Sequence, residues 1–402
     1  MNTVSTPLSR FEAELEEESF FSLTDDPILL SELYRSNWIA RRVIDMPSED
    51  MTRAWYDLEP ALPPDMARDL RALEARHEIR RELTSAIRWA RLYGGACALM
   101  VLRGQEDRLA EPLDPDEIMP GDFCGLLVAD RVRGVTPSTE LEQDLNDLDF
   151  GYPKFYDLHT EQDGTVRVHH SRILRFTGRD VPRDEEIRRQ YWGDSELEHI
   201  YRELRKRDAT SGNIARLVYQ ANITTLKMSD FGEALALGTD NQRRQVLESL
   251  EAQNRLRDSF GLQLLSAGDS YENHPYTFGG LCEIYEAFMM DMAGAAGIPA
   301  TRLFGRSPQG MNATGESDLK NYYEMIGQLQ ERHLRPALEK LLPVMFMSLW
   351  GRVPAMPEIR FAPLMPVSAS EQADILQKTV SAVTQAYQSG LLTLEEARTK
   401  LQ

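Results

Sequence analysis

At 402 residues the chain exceeds what one hydrophobic core ordinarily organises, so two or more subdomains are expected. Its 45 basic and 64 acidic residues give a formal charge of −19, which argues against a tight grip on DNA, since phosphate affinity comes from neutralising lysines and arginines. Cys97, Cys124 and Cys282 lack metal-ligand spacing and read as small core residues in a reducing compartment; no leader-like N-terminus or membrane-length apolar run is found, so no membrane partner is expected.

Residues 1–26 run from Asn, Thr, Ser and Pro into Glu12-Ala13-Glu14-Leu15-Glu16-Glu17-Glu18, which predicts a flexible N-terminal arm. From Pro27 to Ile44, apolar Ile28, Leu29, Leu33, Trp38 and Ile39 predict a helix that ends near Pro47. Asp65 to Tyr93 reads as one helix, with Leu70, Leu73, Ile79, Leu83, Ile87 and Trp89 facing inwards and its arginines on a solvated face. After Gly94-Gly95 the texture changes to strands at Ala96–Leu102, Phe123–Val135 and Val166–Phe176, with Asp163-Gly164 as a hairpin turn. The fold class is therefore α+β.

Ser195-Glu196-Leu197-Glu198 has the spacing of a capping box, which predicts a helix from Ser195 to about Tyr219. Beyond it, Arg243 to Phe260 looks helical between strand-like runs at Ile223–Met228 and Leu262–Leu265. A second helix carries Leu281, Ile284, Tyr285, Phe288, Met292 and Ala295 at three- and four-residue intervals, and Gly297 and Pro299 stop it. Leu319, Tyr322, Tyr323, Ile326 and Leu329 restart the period, which continues to Leu349; Pro336 and Pro343 predict a kink in this long helix. Ile359–Phe361 reads as a strand, Ser370–Tyr387 as a helix ended by Gly390, and Thr393 with Glu396 as the cap of a short last helix.

Between the two helical runs lies an uncharged, glycine-containing loop. Gly310 to Ser317 reads G-x-x-x-x-G-E-S and differs from a phosphate-binding loop in having Glu316 where that loop has lysine. The wrong-sign residue repels phosphate, and a helix rather than a strand precedes the loop, so nucleotide binding is not expected. Catalysis is not expected either. The seven histidines are scattered outside ligand spacings, and Asp147, Asp149, Asp180 and Asp184 fall in polar linkers where acidic residues are common. His169 and His170 sit at the end of a strand, where neighbours point to opposite faces, so no shared metal is expected, and no cofactor.

The order of Gly193-Asp194-Ser195, the run M-A-G-A-A-G-I-P-A-T-R-L-F-G from Met292 to Gly305, and N-A-T-G-E-S-D from Asn312 to Asp318 resembles tailed-bacteriophage portal proteins, more narrowly a phage-associated branch of them. The likeness runs from about Trp38 to the C-terminus. It implies a portal-protein fold: a mixed α/β wing, or body, over 27–194, a stem helix at 195–219, an inserted α/β clip at 220–280 and a returning stem helix at 281–304. A tunnel loop at 305–317, a long kinked wing helix at 318–350 and a C-terminal wing at 351–402 with a small or absent crown complete it.

By the same resemblance, the chain forms a ring of about twelve subunits at one capsid vertex of a virion assembled in the host cytoplasm. Double-stranded DNA passes through it non-specifically during packaging and ejection, and the ring docks the terminase large subunit, the major capsid protein, scaffold and head-completion or adaptor proteins. Gln309, Gly310, Met311, Asn312, Ala313 and Thr314 would face the channel, with Gly305, Gly310 and Gly315 as hinges. Asp230, Glu233, Asp240, Arg243 and Arg244 would form the terminase-facing clip. An acidic channel wall would keep the duplex sliding without sticking, although acidity that maintains solubility explains the composition equally well. The alternatives are a ring-forming minor capsid or scaffold protein without a channel, and a metal-dependent phage nuclease.

Overall fold

The computed structural model describes residues 22–147, 149–159, 164–219, 222–227, 270–275, 280–305, 315–354, 356–365 and 369–390, with single residues at 239, 241, 244, 248 and 393. The chain divides into two compact units, one of Met1–Leu204 with Met292–Gln402 and one of Arg205–Asp291.

In the first unit, the stretch read as one helix to Pro47 is two: α1 (Pro27–Ser36) and α2 (Trp38–Arg53). Asn37 takes an extended backbone, and its side-chain oxygen accepts from the amides of Ile39 (3.0 Å) and Ala40 (3.2 Å), so it caps a new helix instead of continuing the old one. Pro47 lies inside α2 rather than ending it. A proline deprives the carbonyl four residues earlier of its donor, here that of Val43, and the Arg91 guanidinium supplies one at 3.2 Å.

The strand β1 (Tyr56–Glu59) is followed by α3 (Pro64–Arg76) and α4 (Ile79–Tyr93), again two helices where the apolar period suggested one. Glu78 sits in the left-handed region at φ 50° and breaks the rod, while Ile79 and Leu83 remain fully buried on the same core. Periodicity reports the buried face; it does not report a one-residue reversal.

The strands then make two three-stranded antiparallel sheets. One has the order β3 (Phe123–Asp130), β2 (Gly95–Leu102), β7 (Ile173–Thr177), and the other β4 (Val135–Pro137), β5 (Phe155–His159), β6 (Thr165–His169). Both runs read as single long strands turn a corner between these sheets. Phe123–Val135 breaks where the Asp130 carboxylate accepts from the amides of Val132 (2.8 Å) and Arg133 (3.0 Å). Val166–Phe176 breaks at a 3-10 turn, His170–Arg172. The two inner faces close over one core of Cys97, Leu99, Ile173, Val135, Tyr156, Leu158, Val168 and Trp192. Gly95 is required at this corner because a Cβ there would lie 2.3 Å from the Trp192 ring.

The corner also corrects the reading of the two histidines. His170 has left the strand, so the rings of His169 and His170 share one side, 4.3 Å apart, instead of facing opposite ways. Of the cysteines only Cys97 is buried; Cys124 and Cys282 are exposed.

Ser195–Glu198 does not form the expected capping box. The Glu198 carboxylate accepts instead from the amides of Leu23 (3.2 Å) and Thr24 (2.6 Å) and from the Thr24 hydroxyl (2.7 Å), and the Ser195 amide donates to the Thr24 hydroxyl (3.0 Å). After α5 (Arg183–Arg188), the helix α6 accordingly begins at Tyr201 and runs to Tyr219. In the second unit, β8 (Asn222–Lys227) pairs antiparallel with β9 (Ser270–Pro275), which confirms the first strand-like run and adds an unforeseen partner. Leu262–Leu265 and all of Arg243–Phe260 but Arg244 and Glu248 lie outside the described residues. Within this unit the Arg207 guanidinium donates to the Tyr285 hydroxyl at 2.6 Å.

The helix α7 (Leu281–Ala296) ends at Gly297, as the sequence indicated, and Pro299 then opens a short α8 (Ala300–Phe304). Downstream, α9 (Glu316–Leu329) passes through a π turn, Gln330–Leu334, into α10 (Arg335–Trp350). Pro336 sits just beyond that turn, whose extra residue loosens the backbone where the proline ring would meet the preceding carbonyls. The strand β10 (Glu358–Phe361) pairs with β1, and α11 (Ala369–Gln388) follows. The expected last helix lies outside the described residues apart from Thr393.

His333 in the π turn has its pKa lowered to about 4, chiefly by burial and then by the positive charges of Arg332 and Arg91. Above about pH 6.5 neither the folded nor the unfolded chain protonates this ring. Below it the unfolded chain takes up a proton that the fold refuses until about pH 4, so stability falls through that window. Urea midpoints measured from pH 7 to 4.5 should fall less steeply for His333→Asn than for the natural chain; parallel slopes would remove His333 as the cause.

Candidate functional site

The loop singled out in the sequence hangs between α8 and α9. Its first residue, Gly305, ends α8 at φ 73°, with its amide donating to the Thr301 carbonyl at 3.0 Å. Gly315, at φ 49°, is the N-cap of α9. Both backbones lie where an L side chain is strained, so glycine is called for at each end on conformational grounds alone. Gln309, Gly310, Met311, Asn312, Ala313 and Thr314 lie outside the described residues, and with them the middle hinge.

Both ends are fastened to α2. Asp50 is 4% exposed, and its Oδ2 accepts from the Arg302 guanidinium at 2.7 Å and from the Tyr322 hydroxyl at 2.8 Å. Arg302 lies three residues before Gly305; Tyr322 stands on the second turn of α9. The guanidinium also donates to the Tyr323 hydroxyl and lies over both tyrosine rings, 5.3 and 5.5 Å from their centroids. A buried carboxylate needs such partners, because desolvation of an unpaired charge costs more than any single hydrogen bond returns. Burial first, and then the Asp50 charge, raise the Tyr322 pKa, so its hydroxyl stays a donor.

Further contacts hold the α8 side. Arg42 donates to the Leu303 carbonyl at 2.6 Å, and the Trp38 ring meets Phe304 edge-on at 6.0 Å. On the α9 side, Gln330 in the π turn donates to the Met51 carbonyl at 2.7 Å. The loop is therefore carried on a rigid base whose parts come from residues 38–54, 300–305 and 315–330.

Among the remaining candidates, Arg244 is described and exposed, and donates to the Asn241 side chain at 2.6 Å. Asp230, Glu233, Asp240 and Arg243 lie outside the described residues. The four aspartates weighed as a nuclease cluster separate. Asp180 pairs with Arg332 and Asp184 lies in the first turn of α5, whereas Asp147 and Asp149 meet at His170. Glu316, which spoils the phosphate-loop pattern, is the first residue of α9, and the helix α8 precedes it. The Asp50 node was missed, because a lone aspartate in an amphipathic helix gives no signal of its partner 252 residues away.

The mixed α/β fold is shared with solved chains from the neck of gene transfer agent particles. It superposes on a chain from the neck of an empty gene transfer agent particle of C6 symmetry with a TM-score of 0.55, at 15% identity and with 96% of each chain covered. A chain from the neck of the native particle, computed with C12 symmetry, gives 0.52 at 15% identity with 92% of each covered. The sequence pattern of the phage portal protein family matches residues 29–385, and the chain belongs to that family.

An uncharacterized protein of Haemophilus influenzae is 32% identical over 375 residues, 92% of this chain and 82% of that one. Two proteins named Anti-CBASS protein Acb1 are also similar: that of a Caulobacter species is 30% identical over 362 residues, and that of Sphingomonas paeninsulae 31% over 325. The chain spans only about half the length of these two, 57% and 50%.

Replacing Asp50 by alanine strands the Arg302 guanidinium and the Tyr322 hydroxyl together, and is expected to cost about 3 kcal/mol of stability. Urea unfolding should show it, with limited proteolysis between Gly305 and Gly315 accelerating in step. An unchanged midpoint would mean that the node does not carry the base of the loop.

Proposed function

We propose that copies of this chain close into a ring, about twelve in number, at one capsid vertex, and that residues 305–317 of each copy line the channel through which double-stranded DNA enters and leaves. The observation that carries this reading is a family match over residues 29–385 joined to a glycine-bounded loop whose two ends share one buried carboxylate. The fold likeness to neck chains of C12 and C6 particles supports the ring. In this reading residues 27–194 with 318–402 form the wing, 195–219 and 281–304 the stem, and 220–280 the clip that meets the terminase. Head-completion, scaffold and capsid proteins take the remaining faces, and the ATP chemistry belongs to the motor.

A ring also accounts for exposed apolar side chains. Ile28 is 78% and Leu145 79% exposed, with Met119, Leu127 and Phe150 also open to solvent. Neighbouring copies cover such residues in a closed assembly, where each subunit presents two different faces to its neighbours. The net charge of −19 suits a channel that passes DNA without holding it.

The name borne by the two longer relatives raises a second reading, in which this chain acts against a CBASS system. The stretch shared with them largely coincides with the portal family match, so we assign the named role to the part of those proteins beyond it. Cells carrying CBASS and expressing this chain should keep their resistance to a sensitive phage; a rise in plaquing would move the role into the shared stretch.

Negative-stain images of the purified chain should show annular particles of about twelve subunits. Removing residues 308–314 should leave those rings intact and sharply lower the DNA packaged or retained per particle. Rings that package normally without the loop would overturn its role, and the absence of rings would overturn the assembly.

A further inference from the structure

A groove of about 1050 Å³ runs along α1 and is closed on its other side by the turn that ends β3, and none of the loop or its base lines it. Its polar floor is already satisfied. The Ser31 hydroxyl donates to the Pro27 carbonyl at 2.7 Å and lies 2.9 Å from the Tyr93 hydroxyl. Asp130 Oδ1 is turned onto the amides of Val132 (2.8 Å) and Arg133 (3.0 Å), which offset part of its charge. What stays open is apolar and cationic. Ile28 and Val132 are exposed large hydrophobic side chains, and Arg35 and Arg133 are exposed with no ion pair on either guanidinium among the described residues. Glu32, one turn before Arg35, is the remaining open charge on the wall. Apolar surface set between two unpaired arginines fits an acidic segment that carries apolar side chains of its own.

Such a segment enters the structure at one end of this groove. Residues 1–21 lie outside the described residues, and the chain after them meets the groove within one turn. Only the 3-10 turn Leu23–Asp25 separates Ser22 from Asp26, whose Oδ1 caps α1 by accepting the Leu29 amide at 2.9 Å. Asp25 lies 4.0 Å from Arg131, the neighbour of Val132 in the opposite wall. The stretch from Phe11 to Phe21 reads F-E-A-E-L-E-E-E-S-F-F: five glutamates, no basic residue, and Phe11, Leu15, Phe20 and Phe21 among them. Its length also suits. The ten residues of α1 make a wall about 15 Å long, and eleven residues span about 16 Å as a helix and over 30 Å drawn out.

We propose that this groove is the docking site of the chain's own segment 11–21, which turns back at Ser22 and lies along α1. Its apolar side chains cover Ile28 and Val132, and its glutamates pair with Arg35 and Arg133. Exposed ion pairs of this kind are individually weak, but a tether of a few residues holds the segment at an effective concentration in the millimolar range, where weak contacts suffice. The same proximity favours the chain's own segment over one from another molecule, which has no such advantage. Docking here does not depend on the ring, and it leaves the other open apolar side chains, Leu145 among them, for neighbouring copies.

The test uses the full chain with Leu15 replaced by the photoreactive p-benzoylphenylalanine. Irradiation should join position 15 to residues 27–36 or 130–133, identified by mass spectrometry of a product that keeps the mobility of a single chain on a denaturing gel. The paired change Arg35→Glu and Arg133→Glu, at exposed positions outside the core, should lower that yield about fivefold while leaving the melting temperature unchanged. Ile28→Asp should lower it as well. A groove cross-link found only in a band of two-chain mass would hand the site to the segment of another copy and overturn the assignment. Photoproducts that avoid the groove would overturn it too, as would a yield that the arginine reversals do not move.

Discussion

One buried carboxylate organises the part of this protein that its family membership makes most interesting. Asp50 sits on α2, yet what it binds are residues on either side of the loop, Arg302 before it and Tyr322 after it. Together with Arg53, 3.6 Å from the other carboxylate oxygen, they balance its buried charge. The result is a base whose two posts cannot separate without exposing an ion pair.

The same compensation recurs at the proline inside α2. Pro47 removes a donor from the Val43 carbonyl and Arg91 replaces it from α4, so the irregularity of one helix becomes a bond to another. Arg91 is further tied to Glu196 at 3.2 Å. At Arg172 a guanidinium 1% exposed is satisfied by the Gln105 side chain at 2.6 Å and the Glu111 carbonyl at 2.8 Å, which anchors the 105–112 segment to the strand corner. Long-range polar bonds of this kind add to apolar burial in holding the segments on the shared core.

Much of this architecture was legible in the sequence. The α+β class, the helix that ends at Gly297, the long helix after Gly315 and the strand at Ile359 follow from periodicity and from glycine and proline chemistry, all of which act within a few residues. Most of the failures share one cause. Asn37, Glu78, Asp130 and His170 each turn the chain inside an unbroken apolar pattern, because the residues on both sides still face one core. Glu198 misled for a different reason: its spacing from Ser195 suited a local cap, but the amides of Leu23 and Thr24 compete for it from across the sequence. Of the loop, only its glycine ends could be read and then located; Asp50 and Arg302 carry no local signature of each other.

The fixed base also sets a reach. Nine residues separate Gly305 from Gly315, and a chain of that length, drawn out and doubled back, extends at most about 18 Å from where it is rooted. Whatever the loop touches must come within that radius of the ends of α8 and α9, so the width of any opening it serves is dictated by how far neighbouring subunits set those helix ends from the axis.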